Sequence, residues 1–121
     1  MKETFVTLPG ISYLHYHERK ALEGIVEAVA LRYALIDAII LFGSKARGDF
    51  LEYSDVDLLF VMKHVISRDM KSEMHDMLYE FEVEQDVTVS AVFVTAEDYG
   101  AATTPFLKTV RAKGVVIWSR G

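Results

Sequence analysis

Two short apolar segments joined by about a dozen mostly polar residues constrain the fold of this chain most strongly. Residues 38–42 read AIILF and residues 56–62 read VDLLFVM. Each segment has the length and apolar character of a strand buried in a sheet. A parallel crossover usually contains a whole helix, whereas antiparallel neighbours need only a short connection. The sequence therefore predicts that these two strands pair in the antiparallel direction.

The remainder of the chain alternates between helical and extended patterns. Residues 18–34 carry apolar side chains at helical spacing, and a second helical stripe follows Ser67, a favourable N-cap. Thr104-Pro105 provides the N-cap and first residue of a third helix. Two further strands are predicted at residues 87–94 and 115–118. The expected fold class is therefore α/β (α+β), with a mixed sheet of about four strands flanked by helices.

Composition limits the classes of function. A chain of 121 residues with 51% hydrophobic content predicts one domain spanning residues 1–121. The absence of cysteine excludes a disulfide framework, a thiolate zinc site and a cysteine nucleophile. A net charge of −5 without a basic cluster argues against extended nucleic-acid binding. No apolar run is long enough to cross a bilayer, so we expect no membrane association and a cytoplasmic location.

Polar residues that could take part in binding or catalysis lie at the adjoining ends of the first two strands. Asp55 and Asp57 are two residues apart, so a strand presents both carboxylates on one face. Such a pair resists double ionisation unless a cation balances it, and two Mg²⁺ ions would both balance it and bind phosphate oxygens. Gly43 lets the backbone approach a phosphate closely, and Ser44 offers a hydroxyl donor.

Lys45 and Arg47 follow directly and could add positive charge around the same phosphates. An isolated Asp-x-Asp is usually a strand entry, and an isolated Gly-Ser is usually a turn. The combination carries more weight, because the predicted strand end, glycine turn and strand start meet at one sheet edge.

The segment LFGSKARGDFLEYSDVDLLFV, residues 41–61, resembles the signature of the DNA polymerase β-like nucleotidyltransferase superfamily. It is most similar to the minimal nucleotidyltransferases, whose pattern is Gly-Ser, ten residues and Asp-x-Asp. The resemblance implies the nucleotidyltransferase fold, with Gly43 and Ser44 holding ATP or another nucleoside triphosphate. It also implies that Asp55 and Asp57 bind the catalytic Mg²⁺ ions.

The reaction implied by this resemblance transfers a nucleoside monophosphate, most simply AMP from ATP, to a hydroxyl group. Small members often accompany a HEPN-domain protein, and antitoxin members modify a tyrosine of that partner. Superfamily members commonly carry a third metal carboxylate on the third strand, which we place at Asp86. In many relatives the acid falls where Thr88 stands, and a structural role for Asp86 is the competing interpretation. The alternative functions are a non-catalytic antitoxin that binds its partner and a nucleotide-binding regulatory module. A partner chain or a second copy is expected to complete the cleft.

Overall fold

A computed structural model of the protein describes residues 14–47 and 55–120, with Arg47 described in its backbone only. Helices and strands follow one another in a mixed order. The elements are α1 (Tyr16–Arg32), β1 (Ile36–Phe42), α2 (Ser44–Arg47), β2 (Val56–Met62), α3 (Arg68–Gln85), β3 (Val89–Thr95), α4 (Ala96–Ala101), α5 (Pro105–Lys113) and β4 (Val115–Ser119).

The four strands form one mixed sheet in the order β3-β2-β1-β4. β1 pairs with both β2 and β4 in the antiparallel direction, and β2 pairs with β3 in parallel. The predicted antiparallel pair and the predicted mixed four-stranded sheet are therefore confirmed. β2 has the bounds that its apolar pattern predicts, while β1 begins two residues earlier than predicted.

Helices cover both faces of the sheet, and each face has its own apolar cluster. On one face, α1 and α3 pack against strand residues that include Leu41, Leu58 and Phe60. On the other face, α4 and α5 pack against Ile40 and Leu59 together with their neighbours. Because successive strand residues point to opposite faces, β1 and β2 alternate between the two clusters and are buried on both sides.

Local capping explains where the helices begin. The Ser67 hydroxyl accepts a hydrogen bond from the Met70 N–H at 3.0 Å, and the Thr104 hydroxyl accepts one from the Leu107 N–H at 3.1 Å. Both caps match the sequence prediction. They satisfy N–H groups that have no partner within the first turn of a helix.

The structure departs from the predicted pattern at the start of β3. The strand was expected to begin at residue 87, with Asp86 on its face, but it begins at Val89, and Asp86 is the C-cap of α3, in the left-handed conformation with φ 55° and ψ 50°. The pattern missed this boundary because α3 ends on an aspartate in place of the more common glycine. No helix within residues 14–47 or 55–120 is long and apolar enough to cross a membrane.

Candidate active site

The ends of all four strands meet at one edge of the sheet. β1 reaches this edge at Phe42, and its antiparallel neighbours β2 and β4 begin there. β3 is parallel to β2 and therefore begins at the same edge. The topology thus brings Gly43 and Ser44, which follow β1, close to the carboxylates that open β2.

The register of the sheet shows which face carries the carboxylates. Asp57 lies opposite Phe42 in the β1–β2 pair, and directly opposed residues of antiparallel strands project to the same side. Leu59, two residues further along β2, belongs to the cluster beneath α5. Asp57 is therefore on the α4/α5 side of the sheet, where it is half-buried. Asp55 directly precedes β2 and is exposed at the same edge.

Gly43 and Asp57 are in direct contact. Gly43 has a φ of +75°, a conformation that residues with a side chain rarely adopt. A Cβ atom added at this position would lie only 2.3 Å from the Asp57 Oδ2 atom. Both the backbone conformation and the available space therefore favour glycine, and the Gly-Ser turn lies against the Asp-x-Asp segment.

The residues after Gly43 form the short helix α2, in which Ser44 is the first residue. The turn is closed by a hydrogen bond from the Ala46 N–H to the Gly43 carbonyl at 3.1 Å. Lys45 does not lie on the surface as the phosphate-binding prediction requires. It is fully buried, and its ammonium group donates to the carboxylate of Glu18 in α1. The side chain of Arg47, the other predicted cation, lies outside the described residues.

The third strand places a hydroxyl group beside the pair of carboxylates. Ser90 is the β3 residue level with Asp57. The Thr88 carbonyl accepts a hydrogen bond from the Val56 N–H at 2.9 Å, so Thr88 lies beside the first residue of β2. β3 itself, VSAVFVT, contains no acidic residue.

The placement of Asp86 on the face of β3 is therefore wrong. The alternation of strand side chains does not extend to a residue in the left-handed conformation at the end of a helix. Asp86 is exposed near the start of β3, and its role as a metal carboxylate stays a prediction.

A cavity of about 210 Å³ adjoins Gly43 on the α5 side of the sheet. One wall is the end of β1, and the other is a single face of α5. The rings of Phe42 and Phe106, one from each wall, pack edge to face with centroids 5.3 Å apart. The lining residues are Phe42, Gly43, Phe106, Thr109, Val110, Lys113 and Gly114.

The donor set at the sheet edge suits a hard divalent cation. Carboxylate oxygens are the ligands that Mg²⁺ prefers, and phosphate oxygens and water complete its shell. Asp57 supplies such oxygens on the α4/α5 side of the sheet, and Asp55 supplies them at the residue that precedes β2. Within the described ranges, no group of three histidine or acidic side chains lies close enough to hold a metal by itself. The Asp55 and Asp57 oxygens fit a metal whose remaining ligands come from phosphate and water.

Sequence reasoning missed the partner of Lys45 and the α5 wall. Glu18 occupies the apolar stripe of α1, four residues before Leu22, and a charged residue at such a position was a usable signal of a buried partner. Nothing in the sequence pattern indicates that Phe106 and Lys113 face the Gly-Ser turn, because that contact depends on the tertiary position of α5.

Comparison with known proteins gives concordant matches. The sequence model of the nucleotidyltransferase domain matches residues 22–114. Two proteins of Methanocaldococcus jannaschii, each named "Putative protein adenylyltransferase", are similar in sequence. One is 41% identical over 63 residues, which are 50% of this chain and 43% of that relative. The other is 30% identical over 82 residues, which are 68% of this chain and 79% of the relative. The chain thus spans less than half the length of the first of these relatives.

Solved structures with the same fold include a "putative nucleotidyltransferase" from Sulfolobus solfataricus. It has a TM-score of 0.53 and 24% identity, with 92% of this chain and 94% of that chain covered. A toxin–antitoxin complex with AMP-PNP has a TM-score of 0.60 and 19% identity, covering 81% of this chain and 73% of that chain. The MntA-HepT toxin–antitoxin complex has a TM-score of 0.56 and 17% identity, covering 84% and 73%. At these identities the matches establish the shared fold.

Proposed function

Because this chain belongs to the nucleotidyltransferase domain family, we propose that it transfers a nucleoside monophosphate, AMP from ATP, to a hydroxyl group and releases pyrophosphate. The observation that carries the proposal is the contact between the Gly43 backbone and the Asp57 carboxylate. It joins a turn suited to phosphate with a carboxylate suited to a metal ion, at one edge of the sheet.

Each residue of the proposed site has a role in binding the phosphates or the metal ions. Gly43 lets the turn lie against the Asp57 carboxylate, which occupies the space that a Cβ would take, and the Ser44 hydroxyl would donate to the phosphate oxygens. Asp55 and Asp57 would hold two Mg²⁺ ions, which supply the positive charge that phosphoryl transfer requires. The acceptor oxygen forms a bond to the α-phosphorus while the bond from that phosphorus to the bridging oxygen of pyrophosphate breaks. The acceptor proton leaves to a carboxylate of the site or to solvent.

The cavity beside Gly43 is the proposed site of the nucleobase. Its volume of about 210 Å³ is below the ~300–1,000 Å³ of pockets that hold whole ligands, so it fits one part of a nucleotide. The Phe106 ring, 42% exposed, offers an aromatic surface for stacking, and Lys113 lines the same cavity. Phe106→Ala is expected to weaken ATP binding. The matched control is Tyr79→Ala on α3, an exposed aromatic residue on a helix that packs against the opposite face of the sheet.

The proposed acceptor is a tyrosine hydroxyl of a HEPN-type partner protein, which would make this chain the antitoxin of a pair. Two observations support this choice: the curated relatives are named as protein adenylyltransferases, and fold neighbours were solved as toxin–antitoxin complexes. The test incubates the chain with Mg²⁺, ATP and the protein encoded beside it. Mass spectrometry should find AMP on a tyrosine of that protein, and modification of a second copy of this chain would replace the partner assignment.

Binding of Mg²⁺ and ATP is tested by thermal unfolding. A ligand that binds only the folded state raises its melting temperature, so ATP with Mg²⁺ should stabilise the wild type more than ATP alone. Asp55→Asn and Asp57→Asn should abolish the Mg²⁺-dependent part. Equal shifts for the wild type and both variants would disprove the metal site. Binding without any transfer would favour the alternative of a nucleotide-binding or partner-binding module.

Asp86 can be tested without disturbing the fold. Its left-handed conformation is the one that glycine adopts most easily, so Asp86→Gly removes the carboxylate without straining the end of α3. If Asp86 is the third metal carboxylate, the transfer rate should fall strongly while ATP binding is largely retained. Wild-type transfer by this variant would assign Asp86 a structural role.

A further inference from the structure

A buried ion pair lies directly behind the Gly43-Ser44 turn. Lys45, one residue after Ser44, is 0% exposed, and Glu18 is 5% exposed. The Lys45 ammonium group donates to Glu18 Oε2. The other oxygen, Oε1, accepts a hydrogen bond from the His15 N–H at 3.0 Å. The pair therefore links the short helix of the turn to the first turn of α1.

Burying this ion pair costs more desolvation free energy than filling the same space with apolar side chains would. Two charges lose their hydration on burial, and an apolar pair of similar volume often gives an equally stable or more stable protein. An ion pair differs from an apolar contact in its directionality, because the ammonium group must meet the carboxylate at a defined distance and angle. Its distinctive contribution is thus the geometry of the segment that carries Lys45.

α1 provides a fixed support for that geometry. Glu18 is followed along the buried face of α1 by Leu22, Ile25 and Val29, each at most 1% exposed. These side chains hold α1 against the sheet as part of the main apolar cluster. A lysine attached to this helix through Glu18 leaves little freedom for its neighbours Ser44 and Gly43.

We propose that Glu18 and Lys45 are positioning residues that hold the Gly43-Ser44 turn in its phosphate-binding conformation from inside the fold. The proposal rests on the proposed function and assigns Lys45 an indirect role in place of direct contact with phosphate. The turn contains the left-handed Gly43 and leads into a helix of only four residues, Ser44–Arg47, so a tether to α1 restrains it. The buried pair supplies this tether.

A direct and an indirect role of Lys45 predict different nucleotide affinities for variants of Glu18. If Lys45 bound phosphate itself, Lys45→Met would weaken ATP binding far more than Glu18→Gln. If the pair positions the turn, Glu18→Gln and Lys45→Met should each raise the Kd for AMP-PNP with Mg²⁺ about tenfold, a factor that corresponds to roughly 1.4 kcal/mol. Combining both changes should add little to either change alone, because the two residues act through one interaction.

The decisive variant is Glu18→Leu/Lys45→Met, which removes both charges and fills the space with apolar atoms. We expect its urea midpoint to be no lower than that of either single variant, while its affinity for AMP-PNP stays about tenfold below that of the wild type. Wild-type affinity in this variant would overturn the proposal, since it would show that the pair serves packing alone. Greater weakening by Lys45→Met than by Glu18→Gln would restore the direct role of Lys45.

A second measurement needs no nucleotide and separates this inference from the proposed function. The Ala46 amide bonds to the Gly43 carbonyl at 3.1 Å, so its hydrogen exchange reports on the turn. In the apolar double variant this amide should exchange at least tenfold faster, while the core amide of Leu59 stays unchanged. Unchanged exchange at Ala46 would overturn the positioning role. Faster exchange in a protein whose wild type binds no nucleotide would retain the positioning role and refute the proposed function.

Discussion

Replacing Gly43 with alanine adds a single carbon atom where the end of β1 meets the Asp57 carboxylate. Two costs follow from the structure. A residue with a Cβ in the left-handed region loses about 1–2 kcal/mol, and Gly43 has a φ of +75°. The new atom would also lie 2.3 Å from Asp57 Oδ2. Rotating that side chain away from its preferred rotamer costs roughly 0.5–1.5 kcal/mol.

Gly43→Ala should therefore lower the free energy of unfolding by about 1.5–3.5 kcal/mol. Urea unfolding measures this change as a lower midpoint with an unchanged slope. The displaced Asp57 carboxylate should also weaken Mg²⁺-dependent ATP binding, which isothermal titration calorimetry measures at a temperature where the variant is folded.

Gly100 provides a matched control. It lies within α4, and a Cβ added there would have no atom within 4 Å. Gly100→Ala should raise the free energy of unfolding by up to about 1 kcal/mol, because alanine loses less conformational freedom in a helix. A Gly43→Ala variant with the stability and ATP affinity of the wild type would refute the reasoning, since the strain and the contact would then have no consequence.

Three further changes test the account of the fold by urea unfolding. Thr104→Ala removes the cap that accepts the Leu107 N–H and should cost about 1 kcal/mol; no loss would mean that solvent caps α5 equally well. Arg120→Met removes the guanidinium donors to carbonyls that include that of Tyr33 at 3.0 Å, and should cost roughly 1–2 kcal/mol. Burial, followed by the hydrogen bond to Glu73, raises the pKa of the Tyr33 phenol above its usual value of about 10. Below that pH the Tyr33 phenol is neutral in both the folded and the unfolded protein. Above it, the phenol ionises first in the unfolded protein, whose pKa is the lower of the two. Stability should thus decline as the pH rises past about 10 in the wild type and decline less in Tyr33→Phe; equal declines would contradict the assignment.

Much of the sheet was predictable because its strands carry strong local signals. β2 is apolar over its whole length and ends where the chain becomes polar, so its bounds follow from the pattern. The short connection before it also predicts its antiparallel pairing with β1. The positions of β3 and β4 at the two edges depend on contacts between distant segments, which the local pattern does not contain.

Two helical features have weak local signals, for different physical reasons. α4 has only six residues and none of them is buried, so it has no apolar stripe to detect beyond the acidic residues at its start. α3 extends to Gln85 and ends on Asp86, and a non-glycine residue in the left-handed conformation is not a usual stop signal. This second feature also moved the predicted third carboxylate away from the strand face.

The candidate site was predictable at the level of its strands but not of its side-chain partners. The spacing of Gly43 and Asp57 indicated one sheet edge, and the contact between them agrees with this. Lys45 follows the turn in sequence, but its side chain points into the fold because Glu18 is available there. A lysine that directly follows a Gly-Ser turn in the sequence is therefore insufficient evidence of phosphate contact.

The central claim is tested most directly by following the phosphorus atoms of ATP. The chain, the protein encoded beside it and Mg²⁺ are incubated with ATP labelled at either the α- or the γ-phosphorus. The account predicts that label from the α position becomes covalently attached to protein, that an equal amount of pyrophosphate is released, and that Asp57→Asn abolishes both. Transfer of label from the γ position, or undiminished transfer by Asp57→Asn, would contradict it.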